Sequence, residues 1–445
     1  MIRGSMSLLI VTSSRDDAER AASELRALGL DVNVLEVPDL LFTPPDVLLR
    51  ALGDAPRAYD YVVLPGTYPW DLKHLGGRFV KGPEGLGLLV DVIRRYGIDV
   101  LNPTQPFEKA NPDLLEALAR LRLEELRARA SPIPESPPPL SVLSEVPVQG
   151  GGSYDEVRER VYSVVADGAD YVVLAPMGPD PSSVVKYAEE LRGSLRGVRL
   201  GLDADEATLR RYAQDFDLLL SVTARGATDL TWASSREVVI TVRDGDLGLV
   251  ERALRACERA GARPVLDPIA MPTPRPGLLG TITRLQALSG YRAPKMIGAS
   301  NVVELMDADT SGSIALLSSL AAELGVSAVM VEEASPKARG LTREARDAAD
   351  MVSLSLAWGK SAKDLGVSLL NSKMKVDRSE RGDLKVRAAG RTRVEVNYAD
   401  LVAAVDCRDV CPLGQLTAIP DERSRTLAAV LVYRLCLPWS SAWRC

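Results

Sequence analysis

The feature that most restricts this chain is a rhythm. Between residues 140 and 360, eight short apolar runs follow one another: Leu140–Val146, Tyr171–Pro176, Val198–Leu202, Leu218–Val222, Val238–Val242, Arg263–Asp267, Met296–Ser300 and Ala328–Glu332. Most are trailed by an amphipathic helical pattern. Short strands alternating with helices predict a parallel sheet, because each crossover lays a helix over the sheet and buries it. Eight such units fit a (β/α)8 TIM barrel, with an open doubly wound sheet as the structural alternative. In a barrel the C-terminal strand ends form the functional face. Polar residues just past the eight runs are therefore the first candidates for chemistry.

A shorter alternation precedes the barrel. SLLIVTS, DDAERAASELRALGL, DVNVLEVP, PPDVLLRALG and YDYVVLPG read as strand, helix, strand, helix, strand, which predicts a small flavodoxin-like or Rossmann-like parallel α/β domain over residues 1–100. Ligands of such sheets lie beyond the strand C-termini, so the loop Pro65–Asp71 is where this domain would act. Residues 101–139 form a charged helix and a proline cluster, SPIPESPPPL, that reads as a linker. After the barrel, residues 361–445 form an extension with a polar hairpin around Leu384–Val386 and Thr392–Val396 and a final helix, ERSRTLAAVLVYRL.

Charge and composition narrow the partners. A net charge of −6 argues against broad binding to nucleic acid, and no apolar run approaches the ~18 residues of a membrane span. The N-terminus lacks the apolar core of a secretory signal, which points to the cytoplasm and to reduced cysteines. Four of the five cysteines, Cys407, Cys411, Cys436 and Cys445, cluster at the end of the chain. Cys407-x3-Cys411 has the spacing of half a metal site, but no second pair follows it, and the single histidine, His74, is distant.

At the strand ends stand Asp203, Asp267 and Asn301. A buried carboxylate suits a heterocycle that offers a ring N–H beside an amino group, since it accepts both hydrogen bonds. VLDP at 265–268, followed by GASN at 298–301, resembles the sixth and seventh strands of the pterin-binding superfamily. More closely, the chain resembles the archaeal-type dihydropteroate synthase-related proteins. The resemblance runs through IGASNVVELMDADTSG (297–312), EEASPKARGLTREARDAADM (332–351) and KSAKDLGVSLL (360–370), and in the N-terminal region through VLPGTYPWDL (63–72) and FVKGPEGL (79–86).

The resemblance implies a pterin-binding barrel in which Asp203, Ser221, Asp267 and Asn301 hold a reduced pterin, with Asp267 and Asn301 at the reacting edge. It implies a transferase that condenses a dihydropterin-6-methyl diphosphate with an arylamine, either p-aminobenzoate or a methanopterin-type ribofuranosyl-aminobenzene phosphate. Departures from dihydropteroate synthases are also visible. Asn301-Val302 stands where those enzymes have Arg-Lys, Ser221 replaces an asparagine, Ser144-Glu145 replaces a long first-strand loop, and the Arg-x-His pair of the last strand is missing. A diphosphate leaving group needs cations or backbone N–H groups; Arg275, Lys337 and Arg339 are the nearest substitutes, and Glu304, Asp307 and Asp309 are candidates for Mg2+. No tightly bound organic cofactor is expected, and a homodimer is a family habit.

Each residue also has a plainer reading. Asp267 can cap a turn, Asp203 can belong to a helix N-cap, Asn301 can serve a positive-φ turn, Lys337 and Arg339 can be surface charges, and the Asp-Ala-Asp run can cap a helix. Two other functions fit the same barrel: a pterin-dependent methyltransferase acting with a corrinoid partner, and a non-catalytic pterin-binding protein.

Overall fold

The computed structural model describes residues 6–149, 153–178, 181–195, 197–243, 245–369, 371–374, 384–388, 393–398, 401–408, 412–419 and 422–436. The chain divides into two compact units: Met1–Glu124 with Leu354–Val367, and Glu125–Ser353 with Ser368–Cys445.

In the first unit, strands β1 (Ser7–Thr12), β2 (Asp31–Glu36), β3 (Tyr61–Leu64) and β4 (Phe79–Lys81) form a parallel sheet in the order β2-β1-β3-β4. The helices Arg15–Ala27 and Pro45–Leu52 connect β1 to β2 and β2 to β3, and the helix Leu86–Tyr96 follows β4. The three-residue strand β4 extends the sheet beyond the alternation expected from sequence. Trp358 is fully buried in this unit and donates its indole N–H to Asp91 at 2.9 Å.

The second unit holds the barrel. Its strands are β5 (Ser141–Gln149), β6 (Tyr171–Met177), β7 (Arg199–Asp203), β8 (Leu218–Thr223), β9 (Glu237–Thr241), β10 (Arg263–Asp267), β11 (Met296–Gly298) and β12 (Ala328–Glu332), in the order β10-β9-β8-β7-β6-β5-β12-β11. All neighbours are parallel. A parallel bridge from Leu266 to Lys295, just ahead of β11, joins the two ends of that order. The sheet is therefore a near-closed barrel and not the open alternative.

Strand alternation sorts side chains into two cores. Leu143, Tyr171, Val173, Leu218, Val265 and Met296 pack inside the lumen. Their neighbours, such as Val172, Leu202, Leu219 and Leu266, pack outward with the helices. The N-terminal end of the lumen is closed by the segment before β5. Ile133 joins the lumen core, and its backbone N–H donates to Glu237 at 2.9 Å. Glu237 is 1% exposed and also accepts from the Tyr171 hydroxyl at 2.7 Å and from Arg199 at 3.1 Å. The same end carries Arg346, 4% exposed, paired with Asp170 at 3.0 Å and Asp350 at 2.9 Å, while Arg127 also pairs with Asp350.

Beyond the barrel, β13 (Asn371–Met374), β14 (Leu384–Ala388), β15 (Arg393–Tyr398) and β16 (Leu401–Asp406) form an antiparallel sheet, and the final helix is Glu422–Leu435. One expectation is corrected here. Cys407 is not a reduced thiol; it forms a disulfide with Cys436, with Cα atoms 5.2 Å apart. The end of β16 and the end of the final helix are brought together by a shared apolar core that includes both cysteines. Cys411 and Cys445 lie outside the described residues. Among the described residues, no helix is long and apolar enough to cross a membrane.

Candidate active site at the barrel mouth

The two-residue alternation that puts Leu143, Val265 and Met330 in the lumen continues to the next inward positions, Glu145, Asp267 and Glu332. On β7, Leu200 and Leu202 pack outward, so Asp203 turns inward. Four carboxylates from four strands thus ring the C-terminal end of the lumen. Glu145 and Glu332 are register partners across the β5–β12 seam, and Asp267 is the register partner of Thr241.

Local structure aims each group. Asp203 is not the cap of the helix that follows it; Asp205 takes that role, accepting from the N–H groups of Ala207 at 2.9 Å and Thr208 at 3.1 Å. Asp203 instead accepts from the Ser221 hydroxyl at 2.5 Å. Ser221 reaches it through a β-bulge between Leu219 and Val222, where its φ is 70°. The extra residue lets both Leu220 and Ser221 face the lumen while Val222 returns to the outer core. Bulges beside sites re-aim side chains in this way, at a cost in backbone strain for a non-glycine residue.

Asp267 is held by a second unusual backbone. The N–H of Ile269, at φ 54°, donates to its Oδ1 at 2.8 Å. Buried Arg284 fixes the same turn by donating to the carbonyls of Pro268 at 2.8 Å and Ile269 at 3.1 Å. The turn-capping reading of Asp267 is therefore met by one oxygen, and the mouth-facing reading by its place on the strand. Asn301 is the second residue of the short helix Ser300–Val303 and is exposed; its Nδ2 lies 3.6 Å from where a side chain on Gly298 would begin. Its amide thus hangs over the last residue of β11, on the lumen side.

Burial dominates the electrostatics. It pushes the Glu145 carboxyl up to about 7, with Asp203 and Glu332 adding like-charge repulsion. Asp267 is raised to about 6 by burial and, more weakly, by Asp203, against the opposing pull of the Ile269 N–H and of Arg284. Burial also raises Asp203, with the Ser221 hydrogen bond opposing it, and raises Glu332, with Glu304 adding to it. No ion pair to any of the four is present among the described residues. Near neutral pH such a ring holds protons as well as charge, so it can donate and accept toward a planar ligand rich in N–H groups.

The residues expected to meet phosphate are placed differently. Lys337 donates to the carbonyls of Val303 at 2.9 Å, Glu304 at 3.0 Å and Met306, so its three protons close the end of the helix Ser300–Val303. That use commits the ammonium to backbone carbonyls in the absence of a ligand. Arg275 and Arg339 are exposed in the loops after β10 and β12. Asp309 caps the helix Thr310–Glu323 by accepting from Ser311 N–H at 2.9 Å, and Glu304 accepts from the Ser335 hydroxyl at 2.8 Å. Asp307 is exposed, and among the described residues no three acidic, histidine or cysteine groups are gathered to hold a metal ion. Sequence reasoning named Glu145 only as a departure from a family loop and missed Glu332 and Arg284. The inward phase of SVLSEVPV, with Leu143 buried two residues earlier, was the available signal for Glu145.

Fold and site together define a (β/α)8 barrel with an acid-ringed mouth, carried on a chain with a parallel α/β unit. No protein-family model matches the chain. It is 22% identical over 424 residues to the uncharacterized protein MJ0107 of Methanocaldococcus jannaschii, covering 84% of this chain and 79% of that protein. Solved structures similar to it include the Yersinia pestis dihydropteroate synthase with a pterine-sulfa conjugate, at 15% identity and TM-score 0.40 over 49% of this chain and 95% of that one. Another is the 7,8-dihydropteroate synthase of Vibrio fischeri, at 15% identity and TM-score 0.40 over 49% and 94%. The Thermus thermophilus dihydropteroate synthase is similar at 19% identity and TM-score 0.37 over 48% and 92%.

Proposed function

We propose that the barrel mouth binds a reduced pterin and that the protein is a transferase acting at that ligand. The observation that carries the reading is the pair Asp203 and Asp267, inward, without ion-pair partners among the described residues and with raised pKa values, beside the overhanging amide of Asn301. A pterin's ring N–H and 2-amino group would give both hydrogen bonds to one carboxylate, and the other acid and the Asn301 amide would meet the remaining edge.

The reaction in this reading joins an arylamine to a dihydropterin-6-methyl diphosphate. The amine nitrogen forms a bond to the pterin methylene, the C–O bond to diphosphate breaks with its electron pair, and the amine proton leaves to solvent or a carboxylate. Positioning and leaving-group stabilisation would supply most of the rate. Exposed Arg275 and Arg339 would meet the diphosphate, with Mg2+ arriving on the diphosphate itself. The acceptor would be p-aminobenzoate or a ribofuranosyl-aminobenzene phosphate, as in cytoplasmic folate or methanopterin biosynthesis, and the working form a homodimer.

One observation favours a second reading. With Lys337 spent on carbonyls, the mouth has lost a cation suited to diphosphate, and a methylated pterin serving a corrinoid partner would need none. Calorimetry with dihydropterin diphosphate, the corresponding alcohol and methyltetrahydropterin separates the two. Tightest binding of the diphosphate, followed by an arylamine-dependent product, supports the synthase reading. Binding of the methylated pterin alone transfers the proposal to methyl transfer, binding without turnover leaves a pterin-binding protein, and no binding overturns all of them.

A further inference from the structure

The motifs VLPGTYPWDL and FVKGPEGL fall in the N-terminal unit, where the barrel reading gives them no role. Lys81 ends β4 and is 4% exposed. Phe79, two residues earlier, packs with Tyr68, Leu72 and the inner residues of β1 and β3, so Lys81 lies on that same face, at the C-terminal edge of the sheet. A lysine this buried ordinarily has a partner. Here its ammonium makes no hydrogen bond and no ion pair among the described residues.

The charged groups that face Lys81 are Asp71 and Lys109, both exposed. Asp71 spends one carboxylate oxygen on the N–H of Lys73 at 2.8 Å. Burial, together with Lys109, pulls the Lys81 ammonium below its ordinary value, with Asp71 opposing. The surroundings are thus short of negative charge, at the edge where parallel α/β sheets bind ligands. On the adjoining loop the rings of Tyr68 and Trp70 stand 5.2 Å apart, with Trp70 half-buried, which offers an apolar surface to whatever carries the charge.

We propose that Lys81, with Lys109, forms a second ligand site in the N-terminal unit that takes the phosphate or carboxylate group of a small molecule. The anion would supply the partner that Lys81 lacks, and the Pro65–Asp71 loop would hold the rest of the molecule. The site is independent of the barrel reading, and its failure would leave that reading untouched.

The test uses the full chain and two probes, inorganic phosphate and benzoate, each followed by calorimetry and by thermal unfolding. One of them should bind and raise Tm, and the one that does identifies the oxyanion. Lys81→Met should weaken that binding at least about tenfold and abolish the ligand-dependent rise in Tm, while raising Tm without ligand, because an unpaired buried charge is removed. Should Lys81→Met not fold, the exposed Lys109→Gln replaces it, with about threefold weaker binding expected. No binding of either anion, or affinity unchanged in the lysine variants, overturns the proposal. A loss of Tm in folded Lys81→Met also overturns it, by making the lysine structural.

Discussion

The two ends of the barrel are built from the same residue types and treat charge in opposite ways. At the N-terminal end the buried acids have cationic or hydrogen-bond donors: Glu237 meets Arg199, Tyr171 and the Ile133 N–H, and Asp170 and Asp350 share Arg346, although burial still raises Asp170. At the C-terminal end Glu145, Asp203, Asp267 and Glu332 have no ion-pair partner among the described residues, and burial drives their pKa values up. A buried acid without an ion-pair partner costs stability, so the mouth relies on the rest of the barrel as well as on its few hydrogen bonds to stay in place. One end is finished as structure; the other is the end that the proposed function leaves for a ligand to complete.

The largest effect should separate the ends outright. Glu237→Ala should cost about 3–5 kcal/mol in denaturant unfolding, because it strands a guanidinium, a phenol and a backbone N–H. Asp203→Asn should cost less than about 1 kcal/mol or stabilise. Equal losses would break the contrast. Next, Asp267→Asn should weaken reduced-pterin binding about 100-fold in calorimetry while Tm holds or rises. A fall in Tm with unchanged binding would make Asp267 a structural cap.

The pH dependence sharpens the contrast further. The folded state raises Glu145 from 4.5 to about 7, so it binds this proton more tightly than the unfolded chain does. That contribution is full below the unfolded pKa and is lost as pH rises through the interval to the folded value, a loss of about 1–3 kcal/mol. Glu145→Gln should flatten the slope of unfolding free energy against pH in that window, and an unaltered slope would show that Glu145 titrates normally. The smallest effect concerns the bulge. Ser221→Gly relieves the left-handed backbone and Ser221→Ala does not, so the glycine variant should be more stable than the alanine variant by about 1 kcal/mol. Equal stability would place the strain elsewhere.

The eight runs are legible as strands because a strand buried on both faces is continuously apolar, and RPVLD and AVMVE coincide with β10 and β12 to the residue. Asp203 and Asp267 are legible because they end such runs. The bulge at Ser221 is not, since LLLSVT contains neither glycine nor asparagine to advertise a positive φ. Lys337 reads as a free cation because nothing local shows that three carbonyls 31 to 34 residues earlier converge on it. The Cys407–Cys436 bridge is hidden for a similar reason: four clustered cysteines do not reveal their connectivity. What escapes the sequence is what depends on distant backbone meeting in space.

The segment that closes the N-terminal end has a practical consequence for anyone cutting the gene. A fragment that starts at the first barrel strand looks complete by strand count, yet it omits Ile133 from the lumen and the N–H that Glu237 requires. It also omits the Ala130 and Pro134 carbonyls, which accept from the Ser141 and Ser327 hydroxyls. A fragment that keeps these contacts therefore begins upstream of Ala130, within the helix Pro112–Arg127, whose final arginine is paired to Asp350.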